Sequence, residues 1–289
     1  MKTSVTYIFF TYSQKEFMLE SVSSALNQSY PNLEIIFSDD YSEDGTFEEM
    51  NRIVSAYQGS HKVILNKNEK NLGMPEHFNK VVAMASGEFI VVGAGDDISL
   101  PNRVDELVKE WQKTGVSAIF SNSMVIDEKG NKQCLLFPSP PKFAKDIEDF
   151  KKGMPCWANG ASLAFEKSVF MKYGRVPTFQ EDGAMAFRAL LTNGLGYVNK
   201  PLLQYRKHSE GVSSGLSAKN RLKFQLNEYP MRKGWYQDAL FTHATDSSLF
   251  TYLNRQIAKS KLKKNIFTLP LVGLMYNHAL IVMKKLGLR

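Results

Sequence analysis

The sequence predicts an α/β fold: a mostly parallel, twisted sheet with flanking helices, followed by a basic helical C-terminal extension. Three observations predict it. Short apolar runs alternate with helical patterns through roughly the first 125 residues, the rhythm of parallel strands joined by crossover helices. The runs are five to seven residues long, the length of buried strands. Beyond Ser217 only helical patterns remain, and the charge changes sign: thirteen Lys/Arg stand against three Asp/Glu in residues 217–289, whereas the preceding 216 residues are weakly acidic. An α/β body over residues 1–216 and an extension over 217–289 are therefore expected.

Each element follows in order. Ser4–Phe10 reads as a strand, and Glu16–Gln28 as a helix with Leu19, Val22 and Leu26 on one face. Leu33–Phe37 is the second strand. Thr46–Gln58 is a helix carrying Phe47, Met50, Ile53 or Val54, and Tyr57 at helical spacing. Lys62–Asn66 is a third strand, and Pro75–Ser86 a helix opened by proline in its first turn. Glu88–Ala94 is a fourth strand, Pro101–Thr114 a second proline-started helix, and Val116–Ser121 a fifth strand. Met124–Leu136 reads as a hairpin turning at Glu128–Asn131, followed by helices near Ile147–Lys152 and Gln180–Thr192 with a strand at Ala161–Phe165 between them.

Composition bounds the classes. The two cysteines, Cys134 and Cys156, have no metal-ligand or redox spacing and are expected as buried thiols in a reducing cytosol. The apolar run after Met1-Lys2 ends after about seven residues, far short of the ~20 a membrane span needs, and lacks a small-residue cleavage site. No GxGxxG follows the first strand, which argues against a dinucleotide-dependent dehydrogenase.

Ligands of parallel sheets bind beyond the carboxyl ends of the strands. Each expected strand end carries a polar cluster: Thr11-Tyr12-Ser13, then Ser38-Asp39-Asp40 through Gly45-Thr46, then Asn71-Leu72-Gly73, then Gly95-Asp96-Asp97. By itself the Asp39-Asp40 stretch is equally a turn and helix cap, and Asp96-Asp97 could cap the helix at Pro101. Two acidic pairs ending β-runs in one half of a sheet point instead to a divalent cation and a phosphate-bearing substrate, because adjacent carboxylates repel unless a cation compensates them.

The order TYS…QSYPNLEIIFSDDYSEDGT…NLG…GEFI…GDD…P.R resembles family 2 glycosyltransferases of the GT-A fold, over roughly residues 3–215. The resemblance implies an inverting transfer of a sugar from a nucleotide diphosphate, with a UDP-sugar the expected donor, to a hydroxyl of a glycan or lipid-linked glycan in surface polysaccharide synthesis. It implies nucleotide contacts from Thr11, Tyr12, Asp40, Asn71, Gly73, Asp96 and Arg103, and Mn²⁺ or Mg²⁺ held by Asp97 and reached by His208. Gly95 stands where many relatives keep a third aspartate. Glu181-Asp182 resembles the family's base motif, with Asp182 as general base and Glu181 on the acceptor side; without the resemblance the two are equally first-turn acids favoured by a helix dipole. Trp157 falls where relatives place an acceptor loop and is equally a core residue. Tyr205–Ser213 resembles the element that ends the catalytic region, where Arg206 or Lys207 could meet the diphosphate. His61, His77, His243 and His278 read as structural.

The tail carries four lysines in Lys259–Lys264 beside the apolar run Ile266–Val282. That pattern suits either the anionic inner face of a plasma membrane, at ~1 kcal/mol per basic residue, or a helix packed on the domain. No stacking-aromatic motif accompanies the charge, so nucleic acid is not an expected partner. A sugar-nucleotide nucleotidyltransferase would carry a Gly-rich basic loop after strand one, which Thr11-Tyr12-Ser13-Gln14 does not supply. A non-catalytic sugar-nucleotide-binding scaffold would have lost Asp97 or Asp182, and both are present.

Overall fold

The computed structural model describes residues 3–177, 180–208, 211 and 218–268. Two compact units make up the chain, Met1–Lys207 and His208–Arg289. The break falls a few residues before the boundary the charge pattern suggests.

The first unit is built on one curled sheet. Its strands are β1 (Val5–Thr11), β2 (Glu34–Asp39), β3 (Lys62–Lys67), β4 (Phe89–Ala94), β5 (Ile98–Ser99), β6 (Ala118–Ile126), β7 (Lys132–Leu135), β8 (Ala164–Glu166) and β9 (Leu195–Arg206). Their order is β3-β2-β1-β4-β8-β6-β9-β5, with β7 hairpinned onto β6. β1 pairs in parallel with β2 and β4, and β2 with β3, so four strands end on one edge. β8 inserts antiparallel between β4 and β6, and β9 runs parallel to β6. β1 and β2 are buried along their whole length, which is why they read as unbroken apolar runs.

Helices cover both faces. On one, Tyr7, Phe9, Ile35, Phe37 and Val91 pack with Met18 and Val22 of α1 (Met18–Leu26), Met50 of α2 (Thr46–Ser55), and Val104, Leu107 and Val108 of α4 (Arg103–Thr114). On the other, Phe78 of α3 (Met74–Met84) meets Phe10 at 6.0 Å and Phe165 at 5.9 Å between ring centroids. Each such fully buried side chain contributes roughly 1.5–3 kcal/mol. Shorter helices follow: α5 (Ile147–Lys151), α6 (Lys167–Tyr173) and α7 (Glu181–Leu190).

The structure differs from the sequence expectation in four places. The fifth strand and the hairpin's first arm are one continuous strand, β6, whose pairing with β9 shifts register around Ser121–Ser123. The expected strand at Ala161–Phe165 begins as a 3-10 turn, Gly160–Ser162. β9 carries no continuous apolar run: Asn199, Lys200 and Pro201 interrupt it, and only scattered positions are buried. Cys134 on β7 is exposed and Cys156 partly buried, so the expectation of two buried thiols fails at the solvent-facing edge strand; no disulfide joins them.

The second unit contains two long helices, α8 (Ala218–His243) and α9 (Ser247–Thr268). Lys263 bonds Glu228 at 3.0 Å and Phe250 packs edge-on to Tyr236 at 5.0 Å, tying the two together. Among the described residues no helix is long and apolar enough to cross a membrane. Most of the Ile266–Val282 run, and His278 with it, lies outside the described residues.

Candidate active site

The carboxyl ends of β1, β2 and β4 converge on a set of polar side chains. Thr11 is buried at the end of β1, and Tyr12 beside it is about half exposed, 52%. Ser13 and Tyr41 adopt positive φ (53° and 66°), backbone that non-glycine residues rarely take and that clusters at functional loops. The two loops are stapled together where the Ser13 amide donates to Ser42 Oγ at 2.8 Å. Ser42 is itself held by the fully buried Asp39, through its amide at 2.8 Å and its hydroxyl at 2.5 Å. Burial pushes the Asp39 carboxyl up. Asp39 is thus a loop anchor, leaving Asp40 as the carboxylate that faces the next loop.

Asp40 accepts from Asn68 Nδ2 (2.8 Å), from the Leu72 amide (2.9 Å) and from the Gly73 amide (2.9 Å). It therefore pins the Asn71-Leu72-Gly73 loop to the end of β2. Asn71 is exposed, and its Oδ1 also accepts from the Gly73 amide. Asn68 escaped the sequence reading, although it stands just past β3 at the same sheet edge. Beneath this network His77 bonds Ser38 Oγ at 2.6 Å, and burial holds its pKa down to about 4, so it is a neutral structural histidine.

The acidic pair closes β4. Gly95 is required there by close approach: a Cβ on it would lie 2.4 Å from Gln14 Oε1 and 2.7 Å from Thr11 Oγ1. Thr11 and Gln14 fill the space an aspartate at that position would need. Asp97 is 3% exposed. Its Oδ1 accepts from the Arg206 amide at 2.9 Å, while its Oδ2 is buried with no hydrogen-bond partner among the described residues. Burial, and then the neighbouring Asp96 charge, raise the Asp97 pKa well above the carboxylate range, opposed by the Arg206 amide and by the Arg103 and Arg206 charges. A buried carboxylate oxygen left without a donor, beside a second carboxylate, is the arrangement a divalent cation compensates. The residues fit such an ion. No group of three or more His, Cys, Asp or Glu side chains converges among the described residues, so the remaining ligands would be substrate phosphate oxygens and water, as Mg²⁺ and Mn²⁺ commonly use.

Two arginines sit elsewhere than the sequence suggests. Arg103 has no exposed surface and cannot touch a nucleotide. Its guanidinium donates to Val92 O (2.6 Å), Ala161 O (2.8 Å) and Ser99 Oγ (2.8 Å), bracing the end of β4 against the loop that precedes β8. Arg206 is also buried and cannot meet a diphosphate; Lys207, next to it, is exposed. His208 is buried and opens the second unit. Ser209, Glu210, Val212 and Ser213 of that motif lie outside the described residues.

Glu181 and Asp182 occupy the first turn of α7. Asp182 Oδ1 accepts from the Gly183 amide at 2.7 Å. Burial, then the Asp182 charge, push the Glu181 pKa to about 8, and burial raises Asp182 as well. With its pKa near 8, Glu181 holds a proton around neutral pH, and carboxyl pairs whose pKa values are raised by burial are found at acid–base sites. Gly160 lies against this carboxylate: a Cβ there would stand 3.0 Å from Asp182 Oδ2 and 3.2 Å from its Cβ. Nothing in the sequence signals that contact. The adjacent Ala161 is the residue Arg103 holds, so one loop links Asp182 to the buried Arg103. Trp157 is partly exposed and packs at 5.3 Å on both Phe120 and Phe137, one wall of an aromatic cluster that includes Phe143 and Tyr197.

A curled, mostly parallel sheet with flanking helices and carboxylates at its strand ends has the architecture of the GT-A type. The chain belongs to glycosyl transferase family 2, whose model matches residues 6–173. EpsE of Bacillus subtilis, named as a glycosyltransferase, is 32% identical over 139 residues, 48% of this chain and 49% of that protein. A UDP-Glc:α-D-GlcNAc-diphosphoundecaprenol β-1,3-glucosyltransferase of Escherichia coli, WfgD, is 22% identical over 212 residues, 73% of this chain and 79% of the other. The chain spans about half the length of the first curated relatives it matches, 49% and 51%. Among solved structures, S. aureus TarS 1-349 in complex with UDP-GlcNAc superposes with a TM-score of 0.65 at 17% identity, covering 93% of this chain and 76% of that one. A mannosyltransferase of Pyrobaculum calidifontis, in complex with GDP-Man and Mn2+, superposes with a TM-score of 0.61 at 16% identity, covering 98% and 81%.

Proposed function

We propose that this glycosyltransferase transfers a sugar, with inversion, from a UDP-sugar to a hydroxyl of a glycan or lipid-linked glycan acceptor. The observation that carries the reading is the buried Asp97 carboxylate with one oxygen unpartnered, set at the strand edge beside Asp96. WfgD, whose name states a UDP-Glc donor and a lipid-diphosphate-linked acceptor, supports both ends of the assignment. So does the likeness to a fold that holds UDP-GlcNAc in TarS.

The chain's own residues divide the work. Thr11 and Tyr12 flank the nucleobase and ribose, Asp40 reads the base, and Asn71 with Gly73 closes over the nucleotide. Asp96 orients the ribose or sugar. Asp97 would hold a Mn²⁺ or Mg²⁺ ion, which when bound supplies positive charge against the departing diphosphate. Asp182 takes the acceptor hydroxyl's proton on the face opposite the leaving group, as an in-line displacement requires. Glu181 and Trp157 line the acceptor side. Residues 1–216 form the catalytic region. The basic extension 217–289 contacts an anionic membrane surface on the cytoplasmic side, where lipid-linked acceptors are found; its thirteen Lys/Arg support this.

A thermal-shift panel of UDP-, GDP- and dTDP-sugars, with and without Mn²⁺, tests the reading. UDP-sugars with Mn²⁺ should raise the melting temperature most. Absence of metal-dependent stabilisation by all of them would contradict it.

A further inference from the structure

We propose that Arg206 is a positioning residue that builds the cation-binding geometry of Asp96 and Asp97 from behind, without touching substrate. The inference rests on the donor-site reading above.

Arg206 ends β9, and it engages the acidic pair twice over. Its backbone amide donates to Asp97 Oδ1 at 2.9 Å, and its side-chain Nε donates to the Asp96 carbonyl at 2.9 Å. One residue therefore fixes a carboxylate oxygen of the second aspartate and the peptide plane of the first. The rest of the guanidinium is held in turn. Nη1 donates to the Glu128 carbonyl at 2.8 Å in the turn between β6 and β7, and Nη2 pairs with Glu20 Oε2 of α1 at 2.5 Å. The cation also lies 4.8 Å above the Phe17 ring. Its side chain is 1% exposed, against 53% for Glu20.

The consequence is geometric. With Oδ1 fixed by the Arg206 amide, only one orientation of the Asp97 carboxyl remains, and the unpartnered Oδ2 is the oxygen left to bind an ion. A planar fork bonded in several directions is difficult for lysine to replace, since an ammonium offers no equivalent of the Nε–H aimed at Asp96 together with the paired Nη groups. Groups that orient metal ligands in this way commonly set metal affinity, at about 10–100-fold per residue. Glu20 would act one step further out, by holding the fork from the solvent side.

The test compares wild type, Arg206→Lys, Glu20→Gln and Lys207→Met as full chains. UDP affinity is measured calorimetrically with Mn²⁺ and with EDTA, and backbone hydrogen exchange is followed across residues 94–99 and 127–130. Arg206→Lys should lose about 10–100-fold in the Mn²⁺-dependent part of UDP binding, keep the EDTA value, and exchange faster at both segments. Glu20→Gln, a change at an exposed carboxylate that should leave folding intact, should show the same pattern several-fold weaker. Lys207→Met should leave hydrogen exchange at both segments unchanged. Unchanged Mn²⁺-dependent binding and unchanged exchange in Arg206→Lys would overturn the proposal while leaving the donor site standing. A loss in EDTA equal to that in Mn²⁺ would overturn it in favour of direct substrate contact. If wild type itself gains nothing from Mn²⁺, the donor-site reading fails and this proposal with it.

Discussion

The strand ends proposed to hold the donor and the helix start proposed to face the acceptor hold their carboxylates in different ways. On the donor side, Asp39 and Asp40 accept hydrogen bonds from backbone amides and polar side chains, and both act as loop anchors. Among the described residues, Asp97 Oδ2 is the buried carboxylate oxygen without a hydrogen-bond partner. On the acceptor side, Glu181 and Asp182 sit at a helix start with few donors, their pKa values raised by burial, against a glycine. The first arrangement holds Asp39 and Asp40 in fixed orientations through several donors each, as a site that must recognise a substrate needs. The second raises the basicity of both carboxyls, in the direction the proposed proton transfer needs. The difference teaches that hydrogen-bond donors, plentiful around Asp39 and Asp40 and scarce at the helix start, set these two groups of carboxylates apart.

Asp182→Asn should break the acceptor side alone. It is expected to lower kcat by about 10²–10⁴-fold while donor affinity is unchanged; weakened donor binding would show Asp182 to be a donor-site residue. In wild type, transfer should rise with pH through a value above that of an ordinary aspartate, because only the charged form accepts the proton. Gly160→Ala should act on the same group more gently. Its methyl would crowd Asp182 Oδ2, and kcat should fall about tenfold with the donor KM preserved, whereas equal changes in both would place Gly160 in general folding.

Glu181 sharpens the comparison through stability. Its folded pKa, about 8, lies above its unfolded value, so the folded state binds the extra proton and stability falls as pH rises between those two values. Glu181→Gln should therefore gain stability over wild type at pH 8 and show little difference at pH 5, read by thermal melts at both. Glu34 gives the opposite sign at the far end of the sheet. Bonds from Thr6, Ser86 and Lys62 hold it down at about 2, so its contribution is present above the ordinary glutamate value and is lost as pH falls toward 2. Glu34→Gln should narrow the gap in melting temperature between pH 7 and pH 3; an unchanged gap would remove Glu34 from the acid response.

The donor half was the legible one. β1, β2 and β4 read correctly because strands buried on both faces leave unbroken apolar runs, and the polar residues that follow them meet at one edge by the logic of parallel pairing. β9 was invisible because Asn199, Lys200 and Pro201 interrupt it and its side chains are buried only in places. Arg103 and Arg206 were misread for a common reason: most of their partners, such as the Ala161, Asp96 and Glu128 carbonyls and the Glu20 carboxylate, are distant in sequence, and an arginine near a phosphate motif looks alike whether it faces the ligand or the floor. Gly160 carried no signal at all, since what matters is the side chain it lacks.

The account stands most directly on the separation of Asp97 from Asp182. UDP binding with and without Mn²⁺, measured on wild type, Asp97→Asn and Asp182→Asn, tests it in one series. Asp97→Asn should lose the Mn²⁺-dependent gain in affinity, and Asp182→Asn should keep it in full while transferring no sugar at a measurable rate. A metal-dependent gain that survives Asp97→Asn, or disappears in Asp182→Asn, would contradict it.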